Sequence, residues 1–531
     1  MSQRTETTAP TLPEPAPAPA RAPEPPSRLA LLGLLLGIVL ATLDGTIVGT
    51  ALPTIVGDLC GLDHFSWVVT AYLLTAAVST PLWGKLGDLY GRKGGYQASI
   101  TVFLAGSVLC GLAQDMPQLI AFRALQGLGA GGLFVGAVSL IGTLLPPAQA
   151  GRSQSMIGVL LPVAMIGGPL LGGFLTDQLD WRWVFYVNVP VGAVALLLVG
   201  LLVRLRTERS RARVDYAGAA LLTAGILALT LLGTWAGTTY DWASPQTGGL
   251  ALLAAAAFAA FVRVERRAPE PVIPPRLFGD RNFTLAQILT FLAGAAMLGA
   301  ASYLPQYMQF VRGMSSTESG LLLLPLMLGM MGTQLSIGRA VAGGGGYRVY
   351  PIVGSVVATA GALALLTVGV HTATAVASTL TFVLGAGLGC LLQPSLLITM
   401  NSAELRDMGA ASGTNTLLRT IGGSLGVAVL GSVYTGRVTA TVTDRLGPDG
   451  ERLTGGHQLT PALLRGLPEP VRDAFRSGVA GGLHGVMAGT AVLCAATFAA
   501  AWLIREVPLR SRADAASTAT AASATDAADR A

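Results

Sequence analysis

Long uncharged stretches alternate with short turns rich in Gly, Pro or Arg along nearly the whole chain. At a rise of about 1.5 Å per residue, some twenty helical residues cross the roughly 30 Å hydrocarbon core of a bilayer. The first such run, 29–53, is longer than the apolar region of a signal peptide and lacks a convincing cleavage site, so it is expected to stay as a span. Runs at 65–84, 96–113, 117–135, 154–175 and 187–203 complete a first set of six. Two more, 216–236 and 248–263, precede a Pro-rich, charged connector. A second set of six follows at 284–310, 316–337, 350–369, 374–398, 409–433 and 480–503.

The pattern therefore predicts an all-α membrane protein of about fourteen spans. It divides into a polar tail 1–27, a six-helix half 28–204, two extra helices in 205–265, a connector 266–283, a second half 284–505 and a tail 506–531. The Pro/Ala/Thr/Glu and Ala/Ser/Thr/Asp compositions of the two tails leave too little apolar surface for a core. The stretch 434–480 reads as a long external loop, in which Val471, Ala474, Phe475 and Val479 recur at helical spacing. That spacing predicts a short amphipathic helix resting on the membrane.

Arg and Lys fix the expected orientation, because basic loops resist translocation. The Arg-rich segment 204–213 is expected in the cytoplasm. Counting spans outward from it puts Lys85, Arg92, Lys93, Arg152, Arg263, Arg266, Arg267, Arg339, Arg348 and Arg406 on the same side, and both termini with them. The loops 58–64 and 237–248, which carry no Lys or Arg, fall opposite.

Composition supports the same class: 52% of residues are hydrophobic, only 12% are charged, and the mean hydropathy is +0.61. The 68 glycines suit helices that approach closely in lipid. The net charge of +6 sits in connecting segments rather than in a stripe interleaved with aromatics, so no nucleic-acid partner is expected. Cys60, Cys110, Cys390 and Cys494 stand singly, without metal-ligand spacing, so no metal and no cofactor are expected. A disulfide between Cys60 and Cys110 is conceivable, though spacing does not supply the geometry it needs. No nucleotide loop, nucleophile elbow or soluble signalling module is present, which argues against a membrane enzyme or sensor.

Charges inside the spans carry the candidate chemistry. A carboxylate near mid-bilayer costs about 3 kcal/mol on insertion scales. Asp44 lies some nine residues, roughly 13 Å, from the outer end of its span, so it is expected to face a cavity and exchange a proton. The alternative is a structural Asp bonded to Thr42 or Thr46. Arg123 and Gln126 in the fourth span are expected to bind substrate or line the cavity; the alternatives for Arg123 are a tie between helices and a cation snorkelling to the outer surface. Arg419 lies deeper and is expected either to tie helices together or to bind substrate. Gln287, Tyr303, Gln306, Tyr307, Gln393 and Asn415 are polar groups that line a cavity or glue helices together.

Two further strings carry glycine. In 84–93, Gly84, Gly87 and Gly91 allow a tight turn around Asp88, Arg92 and Lys93. In the fifth span, Gly158, Pro162, Gly167, Gly168, Pro169, Gly172 and Gly173 predict a kinked, closely packed helix.

The string 84–93 resembles the major facilitator loop signature GxLaDrxGRk, and a degraded copy follows the tenth span with Ala342 in the place of Asp88. Gly167 to Gly173 resembles the antiporter signature gxxxGPxxGG. Trp181 to Gly192 is similar to the WRWiFyiNvPiG of fourteen-helix drug:proton antiporters of the EmrB/QacA type, as is Leu43 to Pro53, which departs from that family at Gly49, commonly Asn. Gly409 to Gly413 and Arg419 to Gly426 resemble the same family. The resemblance implies a major facilitator fold in which Asp88 and Arg92 latch the halves at the cytoplasmic face. It also implies that the kinked helix is where the halves rock.

Together these features predict a multi-pass cell-membrane protein that works as a monomer. Its partners would be protons, lipid and a small amphipathic organic compound, exported in exchange for protons by alternating access. A facilitator or importer of a small nutrient is the other reading, disfavoured by the GPxxGG-like helix.

Overall fold

The computed structural model describes residues 27–508 except 60–64, 146–159, 161–162, 165–166, 169–170, 177, 204, 206–214, 237–239, 242, 270, 315–322, 343–345, 370–371 and 448–467. Regular structure among these residues is helical, apart from an isolated bridge between Ala236 and Tyr240. The α-helices are α1 (Arg28–Asp58), α2 (Phe65–Tyr90), α3 (Arg92–Leu112), α4 (Met116–Leu144), a single turn α5 (Trp183–Tyr186), α6 (Asn188–Leu202), α7 (Tyr216–Trp235) and α8 (Pro245–Glu265). After a short 3₁₀ turn at Pro275–Gly279 come α9 (Arg281–Arg312), α10 (Leu324–Ala342), α11 (Val349–Ala364), α12 (Thr374–Ser402), α13 (Met408–Leu446) and α14 (Glu469–Leu503). Ten segments of the described residues are long and apolar enough to cross a membrane.

Side-chain caps set where several helices start. Ser27 accepts from the Ala30 amide at 3.2 Å, Asp115 from Gln118 at 2.8 Å, Asp215 from Gly218 at 2.8 Å and Asp280 from Phe283 at 2.7 Å. Each satisfies an amide that the first helical turn leaves without an intrahelical partner. Gly91, at φ 104°, lets the chain break between α2 and α3, a backbone state that a residue with a Cβ rarely adopts.

Two apolar interiors organise the helices. Leu34 and Ile38 of α1, Ile100 and Phe103 of α3, Leu133 of α4 and Val199 of α6 pack together, and Ile47, Ile55, Cys110, Met116 and Phe185 continue that interior towards the other end. A second interior gathers Leu289 and Leu304 of α9, Ala358 of α11, Leu384 and Leu391 of α12, Leu430 of α13 and Leu483 and Met487 of α14. Helices α7 and α8 pack on neither interior. Their Leu222, Ile226 and Phe261 meet Ala77 of α2 and Leu417 of α13, so the pair covers a seam between the two groups.

The predicted loop 434–480 needs correction. Helix α13 continues to Leu446, with Tyr434, Val438 and Val442 buried, and α14 begins at Glu469. The segment 471–479 is therefore no separate surface helix: it opens α14, burying Ala474 and Val479. Of the apolar positions that suggested a membrane-facing stripe, Phe475 meets Phe310 of α9, and Val479 joins the apolar interior that holds Val438 and Val442 of α13. The string Ser315 to Glu318, whose sequence reads as a capping box opening the tenth span, lies outside the described residues.

Close approach of α3 and α4 depends on glycine. A Cβ at Gly106 would lie 2.6 Å from the Gln126 backbone, inside any tolerable contact. Gly106→Val is expected to force the two helices apart at a cost of about 1–3 kcal/mol. A lowered unfolding temperature of the purified protein checks this, and an unchanged one would show that the contact gives way freely.

Candidate functional site

Sixteen residues into α1, Asp44 is fully buried. Its Oδ2 accepts a hydrogen bond from Arg123 NH1 of α4 at 2.6 Å, and its Oδ1 accepts from Gln126 Nε2 and Asn188 Nδ2, each at 2.8 Å. The arrangement follows from helix geometry: Arg123 and Gln126, three residues apart, share one face of α4, while Asn188 opens α6 beside them. Ser107 of α3 accepts from Gln126 at 3.1 Å and from Asn188 at 3.0 Å, and donates to the Phe185 carbonyl at 2.9 Å.

Arg123 is 1% exposed and does not snorkel. Its remaining donors reach Gln126 Oε1 at 2.7 Å and the Val68 carbonyl at 3.3 Å, and its guanidinium lies 4.0 Å from the centre of the Tyr72 ring. Ions this far from water persist only when paired and fully hydrogen-bonded, because each costs several kcal/mol to desolvate. The site nearly meets that demand. One atom stands out: Asn188 Oδ1 is buried with no partner among the described residues. In this conformation the carboxylate is sealed by its partners rather than open to a cavity, so a proton can reach it only when that shell parts.

Sequence reasoning named Asp44, Arg123 and Gln126 but missed Asn188, Ser107 and Tyr72. Asn188 carried a signal, as an amide inside an apolar span within the string 181–192.

The other candidates fall elsewhere. Asn415 of α13 donates to Thr290 Oγ1 of α9 at 2.7 Å and to Thr399 Oγ1 of α12 at 3.3 Å. Gln287 joins that uncharged network through Thr399 at 3.0 Å. Tyr303 donates to the Val427 carbonyl at 3.1 Å and Tyr307 to Gly369 at 2.7 Å, so both phenols tie helix to backbone. Gln306 is partly exposed on the same stretch of α9, and Gln393 is buried in α12. Arg419 is partly exposed, its guanidinium 5.1 Å from the centre of the Phe134 ring across the gap between the two groups. Cys110 is a free, buried thiol 3.7 Å from Gln126 Oε1; Cys60 lies outside the described residues.

The turn at 84–93 joins the groups. Asp88 accepts from the backbone amides of Gly409 at 3.2 Å and Ala410 at 3.0 Å, at the start of α13, and pairs with Arg92 at 2.8 Å. Arg92 also donates to Thr143 of α4. An anion at a helix N-terminus satisfies free amides and opposes the helix dipole. Gly84 and Gly409 make the contact possible, since a Cβ on Gly84 would lie 2.5 Å from the Gly409 carbonyl oxygen. In the fifth span, Pro162 and Pro169 lie outside the described residues. Gly168 packs against Thr46 and Ile47 of α1, close to Asp44, and Gly172 and Gly173 lie further along the same span, with open space around Gly173.

Comparison with known proteins bears directly on this architecture. The family model described as Major Facilitator Superfamily matches residues 34–427. The Multidrug transporter protein MdtP of Bacillus subtilis is 36% identical over 439 residues, covering 83% of this chain and 81% of that protein. The same organism's Multidrug resistance protein 3 is 37% identical, covering 81% and 84%. Among solved structures, the proton:xylose symporter XylE superposes with a TM-score of 0.58 at 14% identity, covering 90% of this chain and 96% of that one, a likeness of fold alone. The chain belongs to the major facilitator superfamily and is a multi-pass membrane transporter, not an enzyme.

Proposed function

We propose that this transporter exports a small amphipathic organic compound in exchange for protons, moving it across the cell membrane by alternating access and acting as a monomer. The observation that carries the reading is the buried Asp44–Arg123 pair. Among the described residues Asp44 is the one acid at mid-membrane depth, and its surroundings are built to hold charge there. The multidrug names of the two Bacillus relatives support an amphipathic cargo.

The fold is read as two six-helix halves with α7 and α8 as an extra pair, the architecture of the EmrB/QacA type. The Arg-rich connectors and both termini lie in the cytoplasm. The Asp88 contact with Gly409 and Ala410 then closes the cytoplasmic side, and the groups part towards the outside. A proton entering from outside neutralises Asp44 and loosens its hold on Arg123. That change favours release of the cargo and the swing to the inward-open form, where the proton is discharged. Gly168, Gly172 and Gly173 with Pro162 and Pro169 form the bend about which the halves rock. Tyr303, Gln306, Tyr307, Gln393, Asn415 and Arg419 line or brace the cavity of the second half.

One proton crossing 100 mV contributes about 2.3 kcal/mol, to which a pH gradient adds. The test is accumulation of a panel of dyes and drugs in inside-out vesicles with an imposed gradient, acid inside. Accumulation is expected to collapse when a protonophore dissipates the gradient. Equal accumulation with and without the gradient would remove proton coupling.

A further inference from the structure

The proposed exchange leaves the charge of the cargo open, and a second cation within the spans bears on it. Arg419 stands eleven residues into α13, about 16 Å from its start and so near mid-membrane. Within the predicted spans the acids are Asp44, tied to Arg123, and Glu318, in the first turn of its span. Asp44 and Arg123 cancel each other. Arg419 has neither a carboxylate nor a carbonyl partner among the described residues; what it faces is the Phe134 ring, on a helix of the other group. One turn away on the same helix, the Thr416 hydroxyl is buried and makes no hydrogen bond among the described residues. A half-buried guanidinium and an idle hydroxyl, one turn apart on the same helix at the seam of a transporter, form a donor set that an acidic group would satisfy.

We propose that the cargo is an amphipathic organic anion, its carboxylate or sulfonate held by Arg419 and Thr416 and its flat apolar body laid against Phe134. This rests on the exporter reading above and names the substrate class for it. It also fits the driving force: an anion leaving and a proton entering both move positive charge inward, so an inside-negative potential drives each.

The test is equilibrium binding of pyrenebutyrate and of its neutral analogue pyrenebutyramide to the protein in nanodiscs, above the signal of protein-free nanodiscs. The acid is expected to bind about ten- to a hundredfold more tightly than the amide. Arg419→Gln is expected to erase that preference, Arg419→Lys to restore part of it, and Thr416→Val to weaken it less. Equal binding of acid and amide by the wild type, absence of saturable pyrenebutyrate binding, or an unchanged preference in Arg419→Gln would each overturn the proposal. The comparison of acid with amide needs no variant, so it stands even where a variant does not fold. Saturable, Arg419-dependent binding without gradient-driven accumulation in inside-out vesicles would sink the exporter reading and leave the anion site intact.

Discussion

Asp44→Asn is expected to abolish gradient-driven accumulation while leaving downhill exchange of the cargo measurable. Asn matches the carboxylate in shape and keeps an acceptor for Gln126 or Asn188, yet it cannot take up a proton at any working pH. It also strands a cation. With the carboxylate gone, Arg123 is left among the described residues with Gln126 Oε1, the Val68 carbonyl and the Tyr72 and Phe185 rings, and removing one partner of a buried pair costs about 3–5 kcal/mol. A loss of transport could therefore reflect loss of fold. The double variant Asp44→Asn with Arg123→Gln separates the two, because a neutral pair needs no counter-ion. Its unfolding temperature is expected to recover most of what the single variant loses, while gradient-driven accumulation stays absent. If the single variant still concentrates cargo against its gradient at the wild-type rate, Asp44 carries no coupling role and its network is purely structural.

The multi-pass helical fold was legible because a twenty-residue apolar run has few other uses, and so was Asp44 as a candidate, because an acid inside such a run is rare. The pairing of Asp44 with Arg123 was not. Spacing along a helix gives depth and face but not the neighbour on that face, and the two residues lie 79 positions apart in sequence. For the same reason the sequence left Arg123 between snorkelling and burial, and Tyr303 and Tyr307 among cavity groups when each phenol is bonded to a carbonyl. The extension of α13 past residue 433 was hidden by composition. Arg437, Thr441 and Asp444 make the stretch look like a loop, whereas Tyr434, Val438 and Val442, four residues apart, form the buried stripe that holds it helical. Asp88 was the opposite case: the resemblance of 84–93 to the major facilitator loop signature implied a latch before any neighbour was known, and the structure puts Asp88 on the first amides of α13.

Breaking that contact is expected to disable the transporter in a way that Asp44→Asn does not. Asp88 binds two amides of α13 through its charge, and charge-assisted hydrogen bonds contribute about 1.5–3 kcal/mol each, so Asp88→Asn should shift the open/closed ratio at this end about tenfold or more. The shift is read from thiol labelling of a single cysteine at Ser412, a position buried behind the contact, in a protein freed of Cys60, Cys110, Cys390 and Cys494. Labelling by a membrane-impermeant maleimide added at the face where this contact lies should rise by the same factor. Gly409→Leu is the stronger form, because its side chain would occupy the space of the Gly84 carbonyl and the Asp88 carboxylate and hold this end apart. A transporter that cannot close one side cannot alternate, so both uphill accumulation and downhill exchange should fall to background, whereas Asp44→Asn spares the second. Wild-type labelling and wild-type exchange in Gly409→Leu would mean that the halves do not close through this contact, and that the charge on Asp88 serves only to cap a helix.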